Sequence, residues 1–129
     1  DLVIDIDADA TLLEALALMR RRYAHSLIVR KSESNPQYGI ITSTDVCDKV
    51  IAKGANPASL KVRDIMNSPL ITVQRDMSIQ ECAQLMVQHH IHHLPVVDDH
   101  GTVVGMISAT DFLVVAEGIA YNFQDRTLN

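Results

Sequence analysis

Two segments of the chain carry the residue types that handle phosphate and ribose. Gly39-Ile40-Ile41-Thr42-Ser43-Thr44-Asp45 and Gly105-Met106-Ile107-Ser108-Ala109-Thr110-Asp111 each run glycine, two apolar residues, a hydroxyl, a small residue, threonine and aspartate. The apolar pair reads as the end of a strand, and the residues after it read as the start of a helix. A helix N-terminus presents unpaired amide donors and the positive end of its dipole, which suits an anion. Thr42 and Thr44, or Ser108 and Thr110, add hydroxyl donors. Asp45 and Asp111 can each accept two hydrogen bonds from the vicinal hydroxyls of a ribose. The same spacing is also nearly a capping box, in which hydroxyl and carboxylate only close the first helical turn. One copy alone reads as such a cap. Two copies in matching context point to a ligand, although shared ancestry also repeats a cap.

The motifs belong to a longer internal repeat. The two glycines lie 66 residues apart, and Leu13-Glu14-Ala15-Leu16-Ala17-Leu18-Met19 matches Gln80-Glu81-Cys82-Ala83-Gln84-Leu85-Met86 at an offset of 67. Each copy opens on a short apolar run, Val3–Ile6 or Leu70–Val73, expected to be a strand. Residues 10–22 and 78–90 then place Leu, Ala and Met at i, i+3, i+4 spacing, which predicts an amphipathic helix. Thr11 with Glu14, and Ser78 with Glu81, mark the helix starts. Two β-rich runs follow in each copy, 26–30 with 38–42 and 94–98 with 102–108, separated by polar turns. A last helix, about 43–53 and 109–120, closes the unit. The fold class is therefore α/β (α+β), with the order β-α-β-β-α twice. One repeat spans 1–54, a linker 55–61, the second repeat 62–119 and a tail 120–129. Units of about 60 residues are marginal alone. The two are expected to pack with pseudo-twofold symmetry around a shared core, leaving two ligand-sized clefts.

Composition narrows the class. The chain has 129 residues, 47% hydrophobic and 21% charged, with a formal charge of −5. That is a globular balance and a poor one for a nucleic-acid backbone. No apolar run approaches the ~20 residues of a membrane span, and nothing at the start reads as a signal peptide. Cys47 and Cys82 both sit in apolar helical patterns and suit a reduced, cytoplasmic protein. Residues 1–67 carry nine basic and nine acidic side chains and 68–129 carry two and seven, so the second half holds the whole charge.

The tandem arrangement resembles a pair of CBS (cystathionine-β-synthase) domains, a Bateman module. Besides the two Gly-to-Asp segments, Val62-x-Asp64-Ile65-Met66 followed by Pro69-Leu70-Ile71-Thr72-Val73 is similar to the opening of a CBS repeat. Ile91-His92-His93-Leu94-Pro95-Val96-Val97-Asp98 is similar to the start of its second strand. The resemblance implies a regulatory sensor of adenine nucleotides (AMP, ADP, ATP) or an S-adenosylmethionine-like compound, with no obligatory cofactor. It implies one cleft built on Thr42, Thr44 and Asp45, with Ile71, Ile91 and His92 around the base. The other would use Ser108, Thr110 and Asp111 with Ile4, Tyr23 and Ala24. Ile40 and Met106 would also touch a base, and His92 and His93 would lie near phosphate. It further implies a homodimer formed through the helices. The first copy has His25-Ser26-Leu27 where the second has His93-Leu94-Pro95, and it lacks the Val-x-Asp-Ile-Met opening. The missing opening suggests a piece of a longer protein or a trimmed terminus. Both clefts are expected to be competent, with unequal affinity.

Other side chains have plainer readings. His89, His90, His92 and His93 form a dense cluster, for which phosphate contact, solvated surface and metal binding all stay open; alternation along a strand makes convergence of all four on one ion awkward. Arg20-Arg21-Arg22 suits the C-terminal end of a helix dipole. The methionines read as core filler. There is no Walker-type loop, and neither cysteine has a positioned histidine, so no catalytic activity is expected. A scaffold or oligomerisation module is the alternative function, and a histidine-based metal sensor a further one.

Overall fold

A computed structural model describes residues 3–128 of the chain, and side chains as far as residue 121. Chain order is β1 (Asp5–Ile6), α1 (Leu12–Arg21), β2 (Ser26–Val29), β3 (Gly39–Thr42), α2 (Ser43–Val46), a π-helical turn (Cys47–Ile51), a 3-10 turn (Pro57–Ser59), α3 (Val62–Ile65), β4 (Val73–Gln74), α4 (Ile79–His89), β5 (His93–Val97), β6 (Val103–Ser108) and α5 (Asp111–Leu128). The strands form two three-stranded sheets, β1-β2-β3 and β4-β5-β6, each with a parallel first pair and an antiparallel second pair. A parallel pair joined by one helix is the crossover expected of a β-α-β unit. The expected order thus appears twice. No helix among the described residues is long and apolar enough to cross a membrane.

The chain divides into two compact units between Ile71 and Thr72. In the first unit, Leu12, Ala15 and Met19 put the buried stripe of α1 against Leu27 and Val29 of β2 and Ile41 of β3. Val62 and Ile65 of α3 join the same core. The opening of the second sequence repeat therefore packs with the first repeat. In the second unit Cys82 and Met86 of α4 are buried, as are Val73, Leu94 and Met106 of the sheet.

Capping explains where α1 and α4 start. Thr11 Oγ1 accepts the Glu14 amide at 3.1 Å, and Ser78 Oγ accepts the Glu81 amide at 3.1 Å. Both first helices end in a left-handed turn on a non-glycine residue, Tyr23 (φ 51°) and His90 (φ 53°), which lie 67 residues apart. Several elements differ from expectation: the strand expected over 3–6 is only Asp5–Ile6, and α3 and the 3-10 turn had no counterpart in the expected order. The helix expected over 43–53 is a single α-turn followed by a π turn, in which the Ala52 amide donates to the Cys47 carbonyl. The strand expected over 70–73 is reduced to Val73–Gln74, because only these residues find partners, Val96 and Val97. The last helix continues to Leu128, through the segment expected to be a separate tail.

Residues 62–67 are held to the first unit from both ends. Arg63 Nε donates to Asp9 Oδ1 at 2.8 Å, and Ser34 Oγ donates to Asp9 Oδ2 at 2.9 Å. The Arg63 hydrogen bond, then that of Ser34, holds the Asp9 carboxyl below its ordinary pKa. At the other end Asn67 pairs with Ile40, amide to carbonyl in both directions at 2.8 and 2.9 Å. This close approach is why Gly39 has no side chain: a Cβ there would lie 2.9 Å from Met66 Sδ and 3.1 Å from the Asn67 carbonyl oxygen. The matching Gly105 would meet nothing closer than Val96 Cβ at 3.7 Å.

Gly39→Ala should destabilise by about 1–3 kcal/mol through overpacking, whereas Gly105→Ala should be neutral or stabilising by up to about 1 kcal/mol. Urea denaturation of the two variants checks this, and equal losses would contradict the contact over Gly39. A lowered carboxyl pKa in the folded state contributes stability above the ordinary carboxylate value, and that contribution is lost as pH falls through the folded value. The difference in melting temperature between the wild type and Asp9→Asn should therefore shrink as pH is lowered from about 6 to about 3. A difference constant with pH would show that Asp9 acts only through packing.

Candidate functional site

Both Gly-to-Asp motifs sit where the last strand of a sheet turns into a helix. In the first unit β3 ends at Thr42 and α2 begins at Ser43; in the second β6 ends at Ser108 and α5 begins at Asp111. The turn is braced the same way in each: the Ser43 amide donates to the His25 carbonyl at 3.0 Å, and the Ala109 amide to the His92 carbonyl at 2.9 Å. The start of the middle strand thus fixes the first residues of the motif helix.

In the first motif Thr42 and Asp45 form a complete capping box. The Asp45 amide donates to Thr42 Oγ1 at 3.2 Å, and Asp45 Oδ2 accepts from the Thr42 amide at 2.9 Å. Thr42 Oγ1 stands a further 3.0 Å from Oδ2. Asp45 is buried, and a buried carboxylate requires hydrogen-bonding partners. Two come from outside the motif. Asn67 Nδ2 lies 2.9 Å from Oδ1 and 3.0 Å from Oδ2, and Lys49 Nζ lies 3.3 Å from Oδ1. Lys49 also donates to Asn67 Oδ1 at 3.0 Å and to the Ile65 carbonyl at 2.9 Å. Neither Asn67 nor Lys49 was expected at the site. Lys49 had a readable signal, an acid–base pair at i, i+4 with Asp45. Asn67 lies 22 residues from Asp45 and has no local pattern to announce it. Thr44 is exposed on α2.

In the second motif the bonds are fewer. Asp111 Oδ2 accepts from the Ser108 amide at 2.8 Å and lies 3.4 Å from Ser108 Oγ, which is 2.9 Å from Thr110 Oγ1. Ser108 is buried and Thr110 exposed. The three residues expected to act together are therefore adjacent. A hollow of about 480 Å³ lies in the same unit, lined by Met86 and Val87 of α4, by His90, Ile91 and His92 of the turn after it, and by Phe112 of α5. It is apolar, and it includes two residues expected around a base, Ile91 and His92. A smaller one, about 260 Å³, lies among Arg75, Asp76, Asp98 and Asp99. Its carboxylates suit an anion poorly, and the Asp98 carboxyl is held low by the Thr102 and His100 amides.

The remaining expected residues take varied positions. Ile4 and Ala24 pack, half-buried, against the core of the first unit, and Ile71 is half-buried at its end. Tyr23 is 92% exposed. Ile40 is half-buried and carries the backbone pairing to Asn67. His93 faces Ser108 across the β5–β6 ladder, and Met106, buried, faces Pro95. Among the described residues no three His, Cys, Asp or Glu side chains converge as a metal site. Cys47 is exposed on the π turn and Cys82 is buried, where burial raises its thiol pKa.

Comparison with known proteins places this arrangement. The family model for the CBS domain matches residues 3–52 and again 62–118. An uncharacterized protein of Methanopyrus kandleri is 39% identical over 100 residues, covering 78% of this chain and 51% of its own length. The chain thus spans about half the length of that relative. Among solved structures, a hexameric CBS-CP12 protein from bloom-forming cyanobacteria superposes with a TM-score of 0.80 at 34% identity, covering 87% of this chain and 64% of its own. The CBS domain pair of protein MJ0100, solved in complex with 5′-methylthioadenosine and S-adenosyl-L-methionine, gives a TM-score of 0.77 at 25% identity and covers 92% and 90% of the two chains. With two stretches matching the one family model and the same β-α-β-β-α order in each, the chain belongs to the CBS domain family.

Proposed function

We propose that this chain is a non-catalytic regulatory module that binds an adenine nucleotide or an S-adenosylmethionine-like compound at its Gly-to-Asp motifs. The observation that carries the reading is the pairing, in both units, of a carboxylate with hydroxyls at a strand-to-helix junction. That donor and acceptor set matches a ribose joined to phosphate or to a sulfonium-bearing chain. The adenosyl ligands of the MJ0100 pair support the same class. In this reading Asp45 and Asp111 hold ribose and Thr42, Thr44, Ser108 and Thr110 hold the group beyond it. Ile4, Tyr23, Ala24, Ile40, Ile71, Ile91 and Met106 contact the base, and His92 and His93 stand near phosphate. Regulation follows only if ligand binds two arrangements of the chain with different affinity.

A scaffold reading has one observation in its favour. Val87 of α4 and Leu113 and Val114 of α5 are 70–75% exposed, an apolar helix surface suited to a second copy of the chain. A homodimer through these helices is compatible with either reading, and the hexamer formed by the CBS-CP12 protein shows that a related chain assembles.

Thermal melting against adenosine, AMP, ADP, ATP and S-adenosylmethionine separates the two. A ligand at 100 times its Kd adds about 2.7 kcal/mol per site, a shift of several degrees. Asp45→Ala together with Asp111→Ala should abolish that shift. If no adenosyl compound moves the wild type and the variant shows no altered response, the scaffold reading replaces the sensor.

A further inference from the structure

We propose that Asn67 gates the first motif: its carboxamide holds the Asp45 carboxylate as a sugar diol would, and a ribose-bearing ligand enters by exchanging with it. The inference rests on the reading that the motifs take adenosyl compounds. Asn67 Nδ2 reaches both carboxylate oxygens, at 2.9 and 3.0 Å, which is where two vicinal hydroxyls would donate. Oδ2 also accepts from the Thr42 amide and stands within hydrogen-bond distance of Thr42 Oγ1, while Oδ1 faces Lys49 at 3.3 Å. A carboxylate offers about four lone-pair sites, and these five donor contacts leave none open; withdrawal of Asn67 opens Oδ1, and Oδ2 opens when the Thr42 hydroxyl turns its proton to the ligand while still accepting the Asp45 amide. A diol cannot be added; something has to leave.

The structure singles out what leaves. The Thr42 contacts belong to the cap that starts α2, and their loss would open the helix. The Asn67 contacts come from a side chain on an exposed residue, free to turn into water. Its backbone is anchored by the two hydrogen bonds to Ile40, so the exchange needs a side-chain rotation and no change in the sheet. Lys49 keeps its bond to the Ile65 carbonyl when the Asn67 oxygen departs, and its charge stays beside the bound sugar. The residue four after Asp111 is Val115, so the second motif has no counterpart of this lysine. Asn67 therefore competes with ligand at the Asp45 motif, beside a lysine that the second motif does not share in sequence.

The test is isothermal titration of adenosine, AMP and S-adenosylmethionine, each with a free diol, into chains carrying Asp111→Ala so that only the Asp45 motif is read. Adding Asn67→Ala removes a hydrogen-bonded competitor of a carboxylate and should tighten binding about tenfold. The gain should be absent for 2′,3′-dideoxyadenosine and should disappear on adding Asp45→Ala. Unchanged or weaker binding after Asn67→Ala, or binding by the wild type that is lost in every Asp111→Ala chain, overturns the gate and leaves the ligand reading standing. Binding of none of the three compounds to any chain, wild type included, overturns the ligand reading and the gate with it. A second readout needs no substitution: the Asn67 side-chain amide in a nitrogen-15 spectrum of the wild type should move toward the position of a solvated amide as ligand saturates. A signal unmoved at saturation also overturns the gate.

Discussion

A carboxylate three residues beyond a hydroxyl, at the point where a strand becomes a helix, is the interaction on which each unit depends. In the first unit it forms the capping box that closes the N-terminus of α2, whose amides would otherwise lack partners. It also fixes the direction in which the helix leaves the sheet. The loss of such a cap costs about 0.5–2 kcal/mol, a sizeable share of what a domain of this size has to lose. In both units the carbonyl of His25 or His92 takes the amide next to the hydroxyl, so the middle strand and the cap position the same turn. The sheet, the helix and the candidate ligand site are thereby held by one group of atoms.

The two motifs agree in pattern and differ in setting. Met66 and Asn67 cross directly over Gly39, and the Asp45 carboxylate is satisfied by residues from three parts of the first unit. Around the second motif a Cβ on Gly105 would meet only Val96, and the Asp111 carboxylate is met by the Ser108 amide and, at 3.4 Å, by Ser108 Oγ. The two carboxylates thus differ in what surrounds them, although the motifs agree in sequence.

The repeat, the order of elements and the motif placement were legible because they are local or periodic. The i, i+3, i+4 stripe of α1 and α4 buries Leu12, Ala15 and Met19, and Cys82 and Met86, as the spacing requires. What stayed hidden was short or distant in sequence. The four residues of α3 are too few to show a period, and its role as a brace depends on Arg63 meeting Asp9 across 54 residues. α5 runs past Ala120 because residues 119–128 contain neither glycine nor proline to stop it. The π turn had no sequence mark. It brings consecutive residues to different tasks, Val50 into the core and Lys49 toward Asp45 and Ile65.

Reading a cap and reading a ligand site are usually set against each other, yet here they concern the same atoms. The backbone amide three residues before each aspartate donates to Oδ2 in both motifs, that of Thr42 and that of Ser108. Capping therefore claims one oxygen and leaves the other to whatever donor is nearest. In the first motif that donor set is Asn67 and Lys49, supplied by the chain itself. Water would serve an exposed oxygen equally well, but Asp45 is buried, so the cation and the carboxamide stand where water cannot. Burial of Asp45 forces the question, since a buried charge must be fully satisfied, and the residues that satisfy it decide whether a ligand can take their place.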